Sequence, residues 1–180
     1  MENPDDYVSS MIPRTGILAV AAIAFAVAVP QARAQDALAT YDSWNAMAAG
    51  KGKDRVCYVA AAPQREVGKY SRRGDTFVLV TQRPGEGTRD TVEVRAGYTY
   101  KSDSDVTINI DGRKYSLFTN SDSAWARDSK TDHAIAEAMK AGKETIVTGY
   151  SERGTLTTDT YSLSGFTAAY NASVKACGLK

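Results

Sequence analysis

A serine and a histidine in this chain have the side-chain chemistry of a catalytic pair. Ser164 lies where the strand-like run TYSL meets the helix-like run GFTAAYNASVKAC, and α/β-hydrolases place their nucleophile on such a strand-to-helix turn. His133 is the one histidine available as a base. The string SLSGF departs from G-x-S-x-G, and a serine hydroxyl at a helix start also caps it by accepting a backbone N–H. We expect the cap and no catalytic residue, with an envelope hydrolase using Ser164 as the alternative.

The chain's two cysteines, Cys57 and Cys177, allow one disulfide. In an oxidising compartment the two are expected to pair, and the alternative is two buried free thiols. One histidine and two distant cysteines make a poor zinc ligand set. No cofactor is therefore expected.

Aspartates are concentrated in the stretches KSDSDV, NIDGR, TNSDSAW and RDSKTDH. Carboxylate oxygens are ligands that calcium prefers. A calcium loop started at Thr107 reaches Phe118 where the motif needs a glutamate. We expect solvated turns and predict no metal ligand; a small-ligand or calcium-binding periplasmic protein is a further alternative.

Basic side chains are frequent over residues 51–73, where seven stand against two acidic ones. Such a run can meet an anionic surface, or it can be a solvated edge strand guarded by charge. The whole chain carries a formal charge of only +1, which argues against nucleic-acid binding. The possible interaction surface consists of Lys51, Lys53, Arg55, Arg65, Lys69, Arg72 and Arg73. The tryptophans and tyrosines could line a ligand groove or fill the core.

The N-terminal 34 residues are typical of an export signal. A small apolar run, GILAVAAIAFAVAV, occupies residues 16–29, and QARAQ follows with an A-x-A cleavage site. Acidic residues precede the run, so Met11 is the more suitable start. We predict a signal peptide over residues 1–34 and a single domain over residues 35–180, with an uncleaved anchor helix as the alternative. After cleavage no membrane span is expected, and the location is periplasmic or secreted.

Most of the remaining chain reads as short strands separated by turn residues. Strand-like runs cover 40–48, 56–62, 75–82, 91–100, 144–151 and 155–163. The run VTINIDGRKYSLF predicts a hairpin, because Asp111-Gly112 suits a two-residue type I′ turn. That turn places Ile110 opposite Arg113, Ile108 opposite Tyr115 and Val106 opposite Leu117.

Two short helices are predicted, and one of them is C-terminal. Residues 128–143 form the first, with Thr131 or Asp132 as its cap and Gly142 at its end. The second carries an apolar stripe of Phe166, Ala169, Tyr170, Val174 and Cys177. With about eight or nine strands, the chain is mainly β, and the pattern indicates a β-sandwich or a barrel-like fold.

The sequence resembles the invasion-associated locus B family of exported bacterial proteins. The resemblance rests on an ordered set of segments: SWNAM (43–47), RVCYVAAAP (55–63), FVLVTQRPG (77–85), GYTYKSDSDVTINIDGRKYSLFT (97–119), AWARD (124–128), IAEAMKAGKETIVTGYSERGT (135–155) and TDTYSLSGFTAAYNASVKAC (158–177). It implies an exported, immunoglobulin-like β-sandwich without catalytic residues or a cofactor. A role in host-cell invasion is implied only by the family's name.

We therefore expect a non-catalytic protein of the bacterial cell envelope that acts through protein or surface interactions. The partner, an unknown protein or another envelope component, and the oligomeric state are not specified by these residues.

Overall fold

The computed structural model describes residues 35–180. The signal peptide predicted over residues 1–34 and the start at Met11 lie outside the described residues. Within the described part of the chain, no helix is long and apolar enough to cross a membrane.

Eleven strands and two helices form in residues 35–180, which confirms a mainly β chain with two short helices, one of them C-terminal. The elements are β1 (Gln35–Tyr41), β2 (Trp44–Ala49), β3 (Val56–Ala61), β4 (Arg65–Gly68), β5 (Phe77–Arg83), β6 (Thr88–Arg95), β7 (Asp105–Ile110), β8 (Arg113–Asn120), β9 (Ser123–Trp125), α1 (Ser129–Ala141), β10 (Glu144–Tyr150), β11 (Leu156–Ser162) and α2 (Phe166–Ala176).

All eleven strands belong to one antiparallel sheet, in the order β1-β2-β3-β5-β6-β9-β8-β7-β10-β11-β4. Sequence patterns predict fewer strands for two reasons. The run 40–48 predicts one strand, but Asp42 takes a positive φ of 50° and Tyr41 pairs with Trp44, so the run contains a tight hairpin. The strands β4 and β9 have only four and three residues, too few to show an alternating pattern.

The predicted β7–β8 hairpin is confirmed. Ile108 pairs with Tyr115 and Val106 with Leu117. Asp111 and Gly112 have φ values of 46° and 92°, as a type I′ turn requires. The carboxylate of Asp111 also accepts the backbone N–H groups of Lys143 and Glu144 at 2.8 and 3.2 Å, which joins the turn to the start of β10.

The cap predicted for α1 was wrong. Asp128, one position before the helix, accepts the N–H of Thr131 at 2.7 Å. Thr131 is therefore a bonded residue of the first turn and not the cap. Asp132 is buried and accepts the N–H of Val92 at 2.8 Å, which fixes α1 to β6. Gly142 follows the last helical residue, as predicted.

One hydrophobic core lies within the described chain. It includes side chains from both halves of the strand order, such as Val80 and Val92 from the first half and Ile108 and Leu117 from the second. Trp44 is fully buried and packs edge-on against Phe166 of α2, with ring centroids 4.8 Å apart. Its indole N–H donates to the carbonyl oxygen of Ser162 at 2.8 Å. This tryptophan is a core residue and not part of a ligand groove.

The predicted disulfide joins Cys57 of β3 to Cys177, just beyond α2. The bond closes 120 residues of chain and holds the C-terminal helix against the sheet. In the chain-entropy model a loop of this length stabilises the fold by roughly 5 kcal/mol.

Candidate functional site

The segment between β4 and β5, residues 69–76, is fixed by a buried ion pair. Arg73 donates two hydrogen bonds to the carboxylate of Asp159 on β11, both at 2.6 Å, and a third to the carbonyl oxygen of Ala96 at 2.7 Å. Each side chain of the pair is only 3% exposed. Burial by itself lowers the pKa of Arg73, but the hydrogen bonds that Arg73 donates to Asp159, together with the negative charge of that carboxylate, reverse this effect and raise the pKa. The guanidinium therefore keeps its charge inside the protein.

Two tyrosines enclose this ion pair. The guanidinium carbon of Arg73 lies 5.5 Å from the ring centroid of Tyr70 and 5.0 Å from that of Tyr98. The hydroxyl of Tyr98 is 2.6 Å from that of Thr157, and the hydroxyl of Tyr70 donates to Glu66 at 3.2 Å. These contacts are cation–π and hydrogen-bonding interactions that position both rings. The two tyrosine rings therefore hold fixed positions beside the segment 69–76.

A groove of ≈ 400 Å³ opens beside these two rings. Its charged lining comes from the segment 69–76 and from the turn between β10 and β11: Lys69, Arg72, Glu152 and Arg153. Tyr70 and Tyr98 also line it. An anionic ligand would meet three cationic groups and two aromatic rings here, so we take this basic–aromatic groove as the candidate functional site.

The seven basic residues predicted from sequence do not form one surface. Lys51, Lys53 and Arg55 precede β3, whereas Arg65, Lys69 and Arg72 lie beyond its other end. The six residues of β3 separate the two groups by roughly 20 Å. Arg73 is not part of any exposed surface, because its charge is neutralised by Asp159 inside the protein. The interaction surface stays a prediction, with Lys69 and Arg72 as its members in the groove.

A second polar cluster, which sequence reasoning missed, surrounds the buried carboxylate of Asp90. It accepts hydrogen bonds from Gln82 at 2.9 Å, from the hydroxyl of Tyr170, and from Nδ1 of His133 at 2.8 Å. Asp90 has a positive φ of 59° beside a register shift between β5 and β6. Such strain persists only where surrounding contacts enforce it. The imidazole is 63% exposed on a groove of ≈ 720 Å³.

The pKa values of two neighbouring carboxyls in this second cluster are shifted in opposite directions. Burial alone would raise the pKa of Asp90, but the hydrogen bonds from His133, Tyr170 and Gln82 lower it. Burial raises the pKa of neighbouring Asp132 to about 6. Nδ1 of His133 faces the carboxylate of Asp90, and the largely exposed ring lines the groove. This geometry orients the ring and holds α1 to β6.

Ser164 is neither a helix cap nor a partner of His133. Gly165 is the residue before α2, with a φ of 86°, and no side chain caps the helix. A side chain at Gly165 would collide with the carbonyl oxygen of Tyr41, so glycine is required there. The hydroxyl of Ser164 instead donates to the carboxylate of Asp42 at 2.6 Å. The predicted N-cap was wrong because the β1–β2 turn occupies the space in front of the helix.

The carboxylates of the aspartate-rich stretches do not gather into a metal-ligating cluster within residues 35–180. Among residues 35–180, no group of three or more His, Cys, Asp and Glu side chains is arranged to hold a metal ion. Several of these carboxylates have internal partners: Asp105 pairs with Arg127 at 2.9 Å, and Asp111 accepts the two N–H groups described above.

A comparison with models of protein families finds a match for this chain. The family model described as invasion associated locus B (IalB) protein matches residues 44–174. That span runs from β2 into α2 and includes Arg73, Asp159 and both residues of the Asp90–His133 pair. Neither the curated proteins nor the solved structures contain a match to the chain.

Proposed function

Because this chain belongs to the invasion associated locus B family, we propose that it is an exported, non-catalytic protein of the bacterial cell envelope that binds a partner through the basic–aromatic groove. The observation that carries the proposal is the buried ion pair that holds the groove-lining segment in place. Lys69, Tyr70 and Arg72 belong to a segment that Arg73 and Asp159 hold in place from beneath. A preorganised surface loses less conformational entropy on binding than a flexible one.

Export to the periplasm or beyond has two supports. The family is one of exported proteins, and the Cys57–Cys177 bond suits an oxidising compartment. The signal pattern at the N-terminus agrees with both. A host-cell invasion role has no support beyond the family's name.

The immunoglobulin-like sandwich is part of the same proposal. One sheet of eleven strands encloses a core drawn from both halves of its strand order. The Arg73–Asp159 pair joins β11 to the segment that leads into β5, across the middle of that order. A sheet folded over on itself in this way would have the two faces of a sandwich.

The alternative functions have less support. Against a hydrolase using Ser164 stand the bond from the hydroxyl of Ser164 to Asp42 and the bond between His133 and Asp90. A calcium carrier would use carboxylates that have internal partners in this fold. We infer that binding through a surface, without a covalent step, is the activity.

The test is crosslinking in intact cells, with charge-reversal variants at the two separated basic groups. We expect Lys69→Glu/Arg72→Glu to lose crosslinks that the wild-type protein forms. The matched control, Lys51→Glu/Lys53→Glu, changes the same charge at the other end of β3 and should retain them. Equal loss from both variants would indicate attraction by overall charge and contradict the groove assignment. Unchanged crosslinking in both would contradict it as well.

A further inference from the structure

We propose that the free edge of β4 accepts an extended acidic segment of a partner protein as an additional strand of the sheet. This inference rests on the proposed function, since β4 leads directly into the groove, and it names the chemistry of the partner. Four observations carry it: the position of β4, the regularity of its pairing, the charge around it, and the apolar side chains beside it.

The strand β4 lies at the end of the sheet. It pairs only with β11 among the strands of residues 35–180, and all four of its residues are exposed. In an antiparallel edge strand, alternate residues direct their N–H and C=O groups away from the sheet. The outer edge of β4 therefore presents backbone donors and acceptors to an incoming chain.

The opposite edge of the sheet, β1, is less suited to accept a strand. Its pairing with β2 contains a register shift between Ala37 and Ala39, and such bulges bend an edge and interrupt its pattern. β4 has no such shift: its four residues, from Arg65 opposite Thr160 to Gly68 opposite Thr157, pair in unbroken register with β11. A regular edge can continue its ladder into a new strand.

The charge around β4 selects an acidic partner. Cationic side chains outnumber anionic ones along the strand and the adjoining groove, where Arg65, Lys69, Arg72 and Arg153 face only Glu66 and Glu152. A second copy of this chain would bring the same positive surface against itself, which is unfavourable. Opposite charge therefore favours a different protein over self-association through this edge.

Apolar side chains beside the edge complete the pattern. Val67 and Leu156 are 45% and 46% exposed and flank a shallow groove shared by the end of β4 and the start of β11. Val67 pairs with Thr158, two residues from Leu156, so both lie on one face of the sheet. Gly68 faces the other way, against the ring of Tyr70. By the same register Arg65 shares the face of Val67, and Glu66 shares that of Gly68. An added strand of alternating apolar and acidic residues would place its apolar side chains beside Val67 and Leu156. Its acidic side chains would lie on the face of Gly68, where Lys69 and Arg72 of the groove outnumber Glu66.

The experiment uses a fluorescent ten-residue peptide of alternating valine and glutamate with the purified, disulfide-bonded protein. Two N-methylated versions carry the methyl groups on alternate amides, one set in each register. Only one register should bind β4 through its amides, so we expect one version to lose at least tenfold in affinity and the other to bind like the parent peptide. Bound peptide should also slow amide hydrogen exchange in residues 65–68.

The outcomes separate the edge from the groove. Lys69→Glu/Arg72→Glu should weaken peptide binding at least tenfold, with Lys51→Glu/Lys53→Glu as the matched control. Equal binding of both methylated versions would overturn strand addition while leaving the groove assignment intact. No binding of the parent peptide would also overturn it, and the crosslinking result would still decide the groove. A dimer in sedimentation experiments that the peptide dissociates would assign the edge to a second copy and overturn the proposal.

Discussion

Asp159 and Asp90 are both buried carboxylates paired with a basic side chain, but water reaches only one of the two pairs. Arg73 and Asp159 are each 3% exposed, whereas His133 is 63% exposed and Asp90 4%. Asp159 depends on one partner for its charge compensation, while Asp90 also accepts bonds from Tyr170 and Gln82. The difference indicates that the first pair supports the fold and the second pair displays a side chain at the surface.

Removing the basic partner of each carboxylate tests whether exposure distinguishes the two pairs. Arg73→Ala leaves Asp159 buried and unpaired, and we expect it to lower the free energy of unfolding by about 3–5 kcal/mol. The matched change, His133→Ala, removes a largely exposed partner and should cost about 0–1 kcal/mol. Urea denaturation measures both. Equal losses from the two variants would show that exposure does not distinguish the pairs.

Removing the disulfide should affect the two pairs differently, because Asp90 bonds to a residue of α2, the helix that the disulfide holds. Tyr170 of α2 bonds to Asp90, and Cys177 follows the same helix. We expect Cys57→Ser/Cys177→Ser to lower the free energy of unfolding by about 2–5 kcal/mol. Hydrogen exchange should quicken first in α2 and around Asp90, with residues near Arg73 least affected. Uniform acceleration throughout the chain would contradict this local effect.

The smallest expected effect is a pH dependence from Asp132, which lines the groove beside His133. Its folded pKa of about 6 exceeds the unfolded value of about 3.9. The folded protein therefore holds this proton more tightly, so the contribution is fully present below about pH 4 and is lost as pH rises through about 6. Asp132→Asn keeps an oxygen for the N–H of Val92 and should not show that loss. Parallel stability curves for variant and wild type between about pH 4 and 6 would contradict it.

Much of the fold follows from local patterns. The β7–β8 hairpin was predictable to the residue because Asp111-Gly112 sets the turn and alternation sets the faces. The two helices and the disulfide were also predictable. The cap of α1 was not predictable, because Asp128, Thr131 and Asp132 are all suitable cap residues and only Asp128 caps the helix. The start of α2 was not predictable either, because the hydroxyl of Ser164 bonds to Asp42 of the β1–β2 turn and does not cap the helix.

The candidate site was less predictable than the fold. Charge counting found Lys69 and Arg72, but it grouped them with Lys51 and Lys53, which lie at the other end of β3. It also assigned Arg73 to the surface. Residues close in sequence can lie at opposite ends of a strand, so a run of charge does not define a contiguous patch.

Alternation in the sequence indicates a strand face for Asp159 within the predicted run 155–163, but it gives none for Asp90, which precedes the predicted run 91–100. Asp159 shares the buried face of β11 with Tyr161, whereas Asp90 is buried at a positive φ of 59° beside a register shift that no local pattern predicts. Only the tertiary structure decides the partners, since Arg73 lies 86 residues from Asp159 and His133 lies 43 residues from Asp90. A buried charge must find compensation wherever the folded chain brings a suitable group, and no local pattern encodes that encounter.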